Sequence, residues 1–517
     1  MQSKRDQVQA HSFVMGRLTS GMLLADPDAP ESPLARTTRG VLMGCLVTVL
    51  VGAGAFVYGL VSPGGDTSWK TQGTLVVNRE TGARYLYLDG RLRPVRNYAS
   101  ALLVGGGELT VQDVRTSALR GTPVGAPVGI AGAPDSVPAA SALNSGAWQV
   151  CSGVTDTGGS ATTLVAGAPA AVTPVAAGRA LLVSGPDRAR YLVWQGSRLR
   201  LGADAGTAAS LGYGSATPRP VSAAFLDALV AGPGLAAPDV PGRGSAGPVL
   251  SGTATRVGQV FRVRVPGSGA QYYLLREEGF VELTETGAAL VLGDPATRAE
   301  AYGGAQPAAL TLGADLLAAR LAPAGTASGL AAGLPASPPR LAATEPGTAV
   351  CAQVEPGRDG ATGATGRGTS GGVRVTSVLV PEDALAPVAQ GATEVSAAPC
   401  LAVDRVVVGP GSGVLVRALD AGGTQLADTT YLVADDGVKY RVPDSDALTA
   451  LGYGEDDAVT LPSTLLAMLA SGPDLLTASA TGERPVRTTR PVCAPADPDR
   501  DGGLGMTAER PGGITGR

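Results

Sequence analysis

The side chains able to do chemistry are few and widely spaced in this chain of 517 residues. His11 is the single histidine, so a Ser-His-Asp relay, a Cys-His pair or a His-rich metal site has nothing to draw on beyond residue 11. Lysine occurs only as Lys4, Lys70 and Lys439. A phosphate-cradling loop needs Gly-Lys-Ser/Thr, so that backbone can approach the phosphate; Lys70-Thr71 comes nearest, and Trp69 stands where the glycine is required. Glu455-Asp456-Asp457 reads as a solvated acidic loop, and Gly409-Pro410-Gly411-Ser412-Gly413 as a turn between strands. Asp497-Pro498-Asp499-Arg500-Asp501-Gly502 echoes the front of a calcium loop, but Ala508 occupies the position of the closing glutamate. The formal net charge of -4, with 16% charged residues, leaves no basic stripe to displace phosphate counterions, so nucleic acid is not an expected partner.

Cysteine is the remaining reactive type: Cys45, Cys151, Cys351, Cys400 and Cys493. No C-x-x-C spacing marks a redox pair. What these thiols do depends on the compartment, and the compartment follows from the elements that carry them.

Gly40 to Val61 is an uncharged run, GVLMGCLVTVLVGAGAFVYGLV. Twenty-two helical residues reach about 33 Å, enough to cross the hydrocarbon core of a bilayer, so residues 40–61 are expected to form one transmembrane helix with Cys45 inside it. Arg36 and Arg39 abut its start, and Ser62-Pro63-Gly64-Gly65-Asp66 follow it. The positive-inside rule puts residues 1–39 in the cytoplasm and residues 62–480 outside the cytoplasmic membrane. Ser3 can cap a helix through SKRDQVQAHSFVMGRLTSG, with Asp6 three residues on. Val8, His11, Met15, Leu18 and Met22 fall on one face of it. A short segment cannot bury that face by itself, so Val8, Met15 and Leu18 are candidates for docking a partner, with a membrane surface as the alternative support.

The outer part repeats itself. ARYLYLDGRLRPV, ARYLVWQGSRLRL, QYYLLREEGFVEL and TTYLVADDGVKYRV, around Tyr85, Tyr191, Tyr273 and Tyr431, each read as a β-hairpin with a glycine in the turn. The second and fourth share an extension: Leu211-Gly212-Tyr213-Gly214 matches Leu451-Gly452-Tyr453-Gly454, and Gly232-Pro233 matches Gly472-Pro473. The order is A, B, A′, B′, with repeats at about 73–110, 179–238, 258–298 and 424–480, which implies a pseudo-twofold body. VFRVRV (260–265), GGVRVTSVLV (371–380) and RVVVGPGSGVLVRAL (405–419) look like strands of a central sheet. The fold class expected is therefore α+β and β-rich: four hairpin-containing repeats around a central β core, behind a single anchor. Gly357 to Gly368 reads as a flexible loop, and 481–517 as a disordered tail.

Outside the membrane an oxidising space favours disulfides, and four cysteines allow three pairings. Cys151 and Cys351 occupy equivalent places in the two halves, and equivalent residues meet near a twofold axis. That reasoning pairs Cys151 with Cys351 and leaves Cys400 with Cys493.

SKRDQVQAHSFVMGRL, the DPDAPESP stretch (26–33), ETGARYLYLDGRLRPVRNYASALL (80–103), PVGIAGAPDSVP (127–138) and the two LGYG repeats together resemble the EccB family, a membrane-core component of the actinobacterial type VII (ESX) secretion system. The likeness covers nearly the whole chain. It implies a single-pass protein with a large outer domain of four repeats, a disulfide matching Cys151–Cys351, and the partners EccC, EccD and EccE. The Cys400/Cys493 pair and the loop at 356–372 depart from the family pattern. The resemblance also implies the ATPase label that family members carry, and ATP with it. The residues themselves indicate no cofactor, metal or catalytic site.

The leading functional expectation is a structural, assembling subunit of a secretion machine that dimerises outside the membrane, with the helices near Phe225 and Leu465 as packing sites. The alternatives are an ATP-hydrolysing subunit and a cell-wall-binding module in which Tyr85, Tyr191, Tyr273 and Tyr431 stack on sugars.

Overall fold

A computed structural model describes residues 4–24, 33–61, 67–107, 109–167, 172–264, 269–323, 333–357, 369–370, 372–385, 396–420, 423–490 and 493. The chain opens with helix α1 (Lys4–Leu24) and helix α2 (Pro33–Val61). The second is longer than the apolar run because Pro33 suits the first turn of a helix. Within it, Thr37–Val57 is long and apolar enough to cross a membrane and is exposed along its length. Ser3, the expected cap, and the DPDAPE part of the preceding stretch lie outside the described residues.

The body is β-rich, and its repeats are larger than hairpins. In unit 1 the hairpin strands Arg84–Leu88 and Arg91–Pro94 are joined by an earlier strand, Leu75–Asn78. After a helix at Tyr98–Gly105 comes a fourth strand, Val111–Val114, parallel to the first. Unit 3 repeats this order with Val260–Arg264, Ala270–Arg276, Gly279–Leu283, a helix at Glu285–Gly293 and Leu310–Thr311. Units 2 and 4 share it, at 179–220 and 414–462, and add a short helix and a fifth strand on the opposite edge, parallel to the second hairpin strand.

The expectation that VFRVRV and the whole of 405–419 belong to the central sheet is thereby corrected. Val260–Arg264 opens unit 3 and Val414–Leu419 opens unit 4. An apolar alternating strand is the same object wherever it pairs, and only the register decides.

Each unit's main helix begins with a side-chain cap at the same place. Asn97 accepts from the N–H of Ser100, Asp204 from Thr207, Thr284 from Gly287 and Asp444 from Ala447. The turns explain the glycines. Asp89-Gly90 and Gln195-Gly196 are two-residue hairpin loops with positive φ at both positions (52° and 72°, 49° and 75°). Gly196 is doubly constrained, because a Cβ there would lie 1.9 Å from the carbonyl oxygen of Val375 in the central sheet.

The central sheet runs through Val373–Pro381, Thr348–Glu355, Trp148–Val154 and Ser160–Ala166. Its middle pair is antiparallel with Cys151 opposite Cys351, so the pseudo-twofold axis passes there. Beyond this the halves exchange segments. Arg405–Val408 of the second half pairs with Ser160–Ala166 of the first, and Thr173–Pro174 of the first pairs with Val373–Pro381 of the second.

The repeats exchange too. Unit 1 shares a core with unit 4: Ala99, Leu102 and Leu103 pack with Leu432, Tyr440, Leu448 and Leu451. Unit 2 shares one with unit 3, where Leu192, Leu199 and Leu211 meet Leu290. The intimate pairs are therefore A with B′ and B with A′.

Candidate functional site

Phe225 and Leu465, expected as packing sites, are fully buried in a single core with Trp148, Val350 and Leu164. They bind the fifth-strand helices of units 2 and 4 to one face of the central sheet. The opposite face carries the disulfide Cys151–Cys351, both residues buried, with Cα atoms 4.0 Å apart. A cross-link between residues separated by 200 positions removes much of the freedom of the unfolded chain. Tyr273 is buried, and Tyr85, Tyr191 and Tyr431 pack partly buried against hydrophobic cores. Each of the four rings is thus packed, in whole or in part, against the fold itself.

The LGYG repeats have a role that spacing alone does not reveal. Gly212 and Gly452 end their helices at positive φ (82° and 87°), turning the following tyrosine inward. The Tyr213 hydroxyl donates to the carbonyl of Pro339 at 2.7 Å, and Tyr453 donates to Pro138 at 2.6 Å. Each bond ties a B unit to the segment that follows the A unit of the other half. Burial pushes the Tyr213 phenol up to about 12 and raises that of Tyr453 further.

A second disulfide joins Cys400 to Cys493, 93 positions apart. For residues 481–490 it corrects the expectation of a disordered tail; residues 494–517 lie outside the described residues. Asp474 donates its N–H to the carbonyl of Arg487 and accepts from the Thr489 hydroxyl at 2.6 Å, so 482–490 is a strap tied to unit 4. Asp474 is the residue that sequence reasoning missed; its signal was a carboxylate directly after the Gly472-Pro473 of the B extension, and the structure buries it. The calcium-like Asp497–Gly502 stretch and most of the Gly357–Gly368 loop lie outside the described residues.

At the N-terminus the docking candidates Val8, Met15 and Leu18 are all exposed on α1, as is His11. Phe13 is exposed as well, about 140° around the helix from Val8. The apolar contacts on offer thus extend beyond one stripe. Cys45 is exposed within α2.

Units 2 and 4 differ at one equivalent point. Arg198, on the third strand of unit 2, forms an ion pair with Asp227 at 2.5 Å. Its counterpart in unit 4 is Lys439, since Arg198 pairs in register with Ala231 and Lys439 with Ser471. The position of Asp227 is taken by Ala467. The Lys439 ammonium is buried and donates to the carbonyl of Leu466. Burial pulls its pKa down to about 8. The other lysine of the body, Lys70, lies over the Trp69 ring at 5.3 Å.

Comparison with known proteins places this architecture. A family model described as type VII secretion system ESX-1, transport TM domain B, matches residues 1–486. A protein named ESX-3 secretion system ATPase EccB3, from Mycolicibacterium smegmatis, is 29% identical over 515 residues, covering 96% of this chain and 93% of its own. One named ESX-1 secretion system ATPase EccB1, from Mycobacterium tuberculosis, is 26% identical over 479 residues, covering 91% and 92%. Among solved structures, a chain of the EccB3 dimer from the ESX-3 core complex superposes with a TM-score of 0.60 at 26% identity, over 79% of this chain and 99% of that one. A chain of the intact ESX-5 inner membrane complex shares the fold over 100% of this chain and 99% of its own, with a TM-score of 0.60 at 22% identity. An apolar helix long enough to cross a membrane, four repeats on a twofold core and a family match over residues 1–486 lead to one conclusion: the chain belongs to the EccB family of type VII secretion.

Proposed function

We propose that this chain is a structural, assembling subunit of a type VII secretion complex in the cytoplasmic membrane. In this reading α2 spans the bilayer, α1 lies in the cytoplasm, and the body stands outside and pairs with a second copy. Relatives of the same fold are described as parts of an ESX-5 inner membrane complex and as a dimer from an ESX-3 core complex. The observation that carries the reading is α1: a helix of 21 residues whose Val8, Met15 and Leu18 are exposed, next to a spanning helix. Such side chains gain by burial against a partner, and EccC, EccD and EccE are the partners proposed.

The test is co-purification from detergent-solubilised membranes, with the full chain and with Val8, Met15 and Leu18 all changed to Ser. The triple variant is expected to lose its cytoplasmic partners while remaining dimeric and membrane-bound. Retention of every partner overturns the docking role of α1. An ATP-hydrolysing reading rests on the names of the relatives. The two lysines of the body are engaged within the fold: Lys70 covers a tryptophan ring, and Lys439 is held by a carbonyl. Hydrolysis that persists in both Lys70→Met and Lys439→Met through successive purification steps would assign it to other residues.

A further inference from the structure

A cleft of about 650 Å³ opens between units 2 and 4, bordered by the strap and by the Cys400–Cys493 disulfide. Its polar lining includes Lys439, Ser471 and the Arg198–Asp227 pair, and its apolar lining includes Leu401, Leu426 and Leu466. We propose that this cleft receives the carboxylate of an acidic peptide segment, gripped by the Lys439 ammonium and the Ser471 hydroxyl, with a neighbouring apolar side chain against the leucines. This goes beyond the assembly role and does not depend on α1.

Two independent observations point to a ligand. The first is an unmatched cation. An ammonium has three donors, and Lys439 uses one on the carbonyl of Leu466. Unit 2 solves the same problem internally with Asp227, whereas unit 4 has Ala467 there. Among the described residues Lys439 has no ion pair, and a buried charge without a counter-ion is costly. Burial lowers the ammonium's pKa, as expected when no anion faces it. The second observation is Ser471. It pairs in register with Lys439, is 4% exposed, and its hydroxyl oxygen is buried without a hydrogen-bond partner. Orphaned buried hydroxyls are uncommon and call for an explanation.

The chemistry selects a carboxylate over a phosphoryl group. A phosphate spreads charge over three acceptor oxygens and is best met by an arginine fork or several backbone N–H groups. Two arginines line the cleft: the Arg198 guanidinium is already engaged with Asp227, whose carboxylate in the same wall repels a dianion, and Arg490 is exposed on the strap, where solvent screens it. One ammonium and one hydroxyl match the two oxygens of a single carboxylate. The cleft volume falls in the range of sites that enclose a small ligand or a few residues of peptide.

The test is calorimetric titration of the full chain in detergent with four probes. These are N-acetyl-Leu-Asp-Leu-amide, its Asn counterpart, N-acetyl-Leu-Leu with a free C-terminus, and inorganic phosphate. The Asp peptide or the free-acid peptide is expected to bind and the Asn peptide is not; the tighter binder of the two acidic peptides tells a side-chain carboxylate from a terminal one. Ala467→Asp, which recreates the internal counter-ion of unit 2, is expected to weaken binding more than about thirtyfold. Ser471→Ala is expected to weaken it about three- to tenfold. Equal binding of Asp and Asn peptides, no binding of either acid, tighter binding of phosphate, or unchanged affinity in Ala467→Asp overturns the proposal. Should Ala467→Asp fail to fold, the Asp-versus-Asn comparison and Ser471→Ala decide it.

Discussion

Units 2 and 4 are built alike and finished differently. Both end a short helix at a left-handed glycine, and both send a tyrosine hydroxyl to a proline carbonyl of the other half. Both bury a fifth-strand helix through Phe225 or Leu465 on the same face of the central sheet. At the cation on the third strand they part: a paired Arg198 in one, and in the other a Lys439 that has no carboxylate partner among the described residues. Duplication has kept what closes the body and left free the side chains that face the cleft between the two copies.

Four measurements break or sharpen that comparison. The largest effect belongs to the axis itself. Cys351→Ala with Cys151→Ala is expected to lower unfolding free energy by up to about 5 kcal/mol in denaturant titration, because the closed loop is so long. A loss well under about 1 kcal/mol would mean that the central strands hold their register without the bond.

Next comes the cation pair, where the two units should respond with opposite sign. Arg198→Met removes the ion-pair partner of a half-buried Asp227 and is expected to destabilise by about 2–4 kcal/mol, whereas Lys439→Met removes a buried charge that has no ion pair among the described residues and is expected to be neutral or stabilising. Equal losses in thermal unfolding would show that the ammonium of unit 4 is compensated after all.

The third is the pH dependence of the same lysine. Unfolded, the ammonium keeps its proton to about pH 10; folded, it releases it near about 8. Between those values the unfolded chain binds more protons, so stability rises with pH, by about 3 kcal/mol in total. Above about pH 10 the buried tyrosines act the other way, since their folded pKa values are raised. The difference between the parent and Lys439→Met across pH 7.5–9.5 isolates the lysine, and parallel curves would refute its burial as a free cation.

The smallest effect tests equivalence directly. Tyr213→Phe and Tyr453→Phe each leave a proline carbonyl without its donor and are each expected to cost about 1–2 kcal/mol. Unequal losses would mean that the two crossings between halves are not alike.

Much of this architecture was legible in the sequence. The apolar run of α2, the four Tyr-led hairpins and the fixed offset between the LGYG segments pointed to the long apolar helix, the repeats and their A–B–A′–B′ order. What stayed hidden has a physical cause. The first strand of each unit carries no turn signal of its own, so Val260–Arg264 and Val414–Leu419 looked like central strands until their partners were known. The strap was masked by its Arg- and Pro-rich composition, although Asp474 and Cys493 hold it. Asn97, Asp204, Thr284 and Asp444, each one residue before a helix, were a readable signal that hairpin-first reading passed over. The lone charge of Lys439 could be seen only once Ala467 and Asp227 were known to be equivalent.

The swapped partnership of the units also governs how such a chain can be made. Tyr453 meets Pro138 across 315 positions, and the apolar side of Leu102 and Leu103 waits for strands that begin near residue 414. During synthesis the early half therefore carries an uncovered greasy surface until the late half arrives, and long-range closure of this kind is slow. A chain that stops short of residue 414 would leave Leu102 and Leu103 without the unit 4 side chains that cover them.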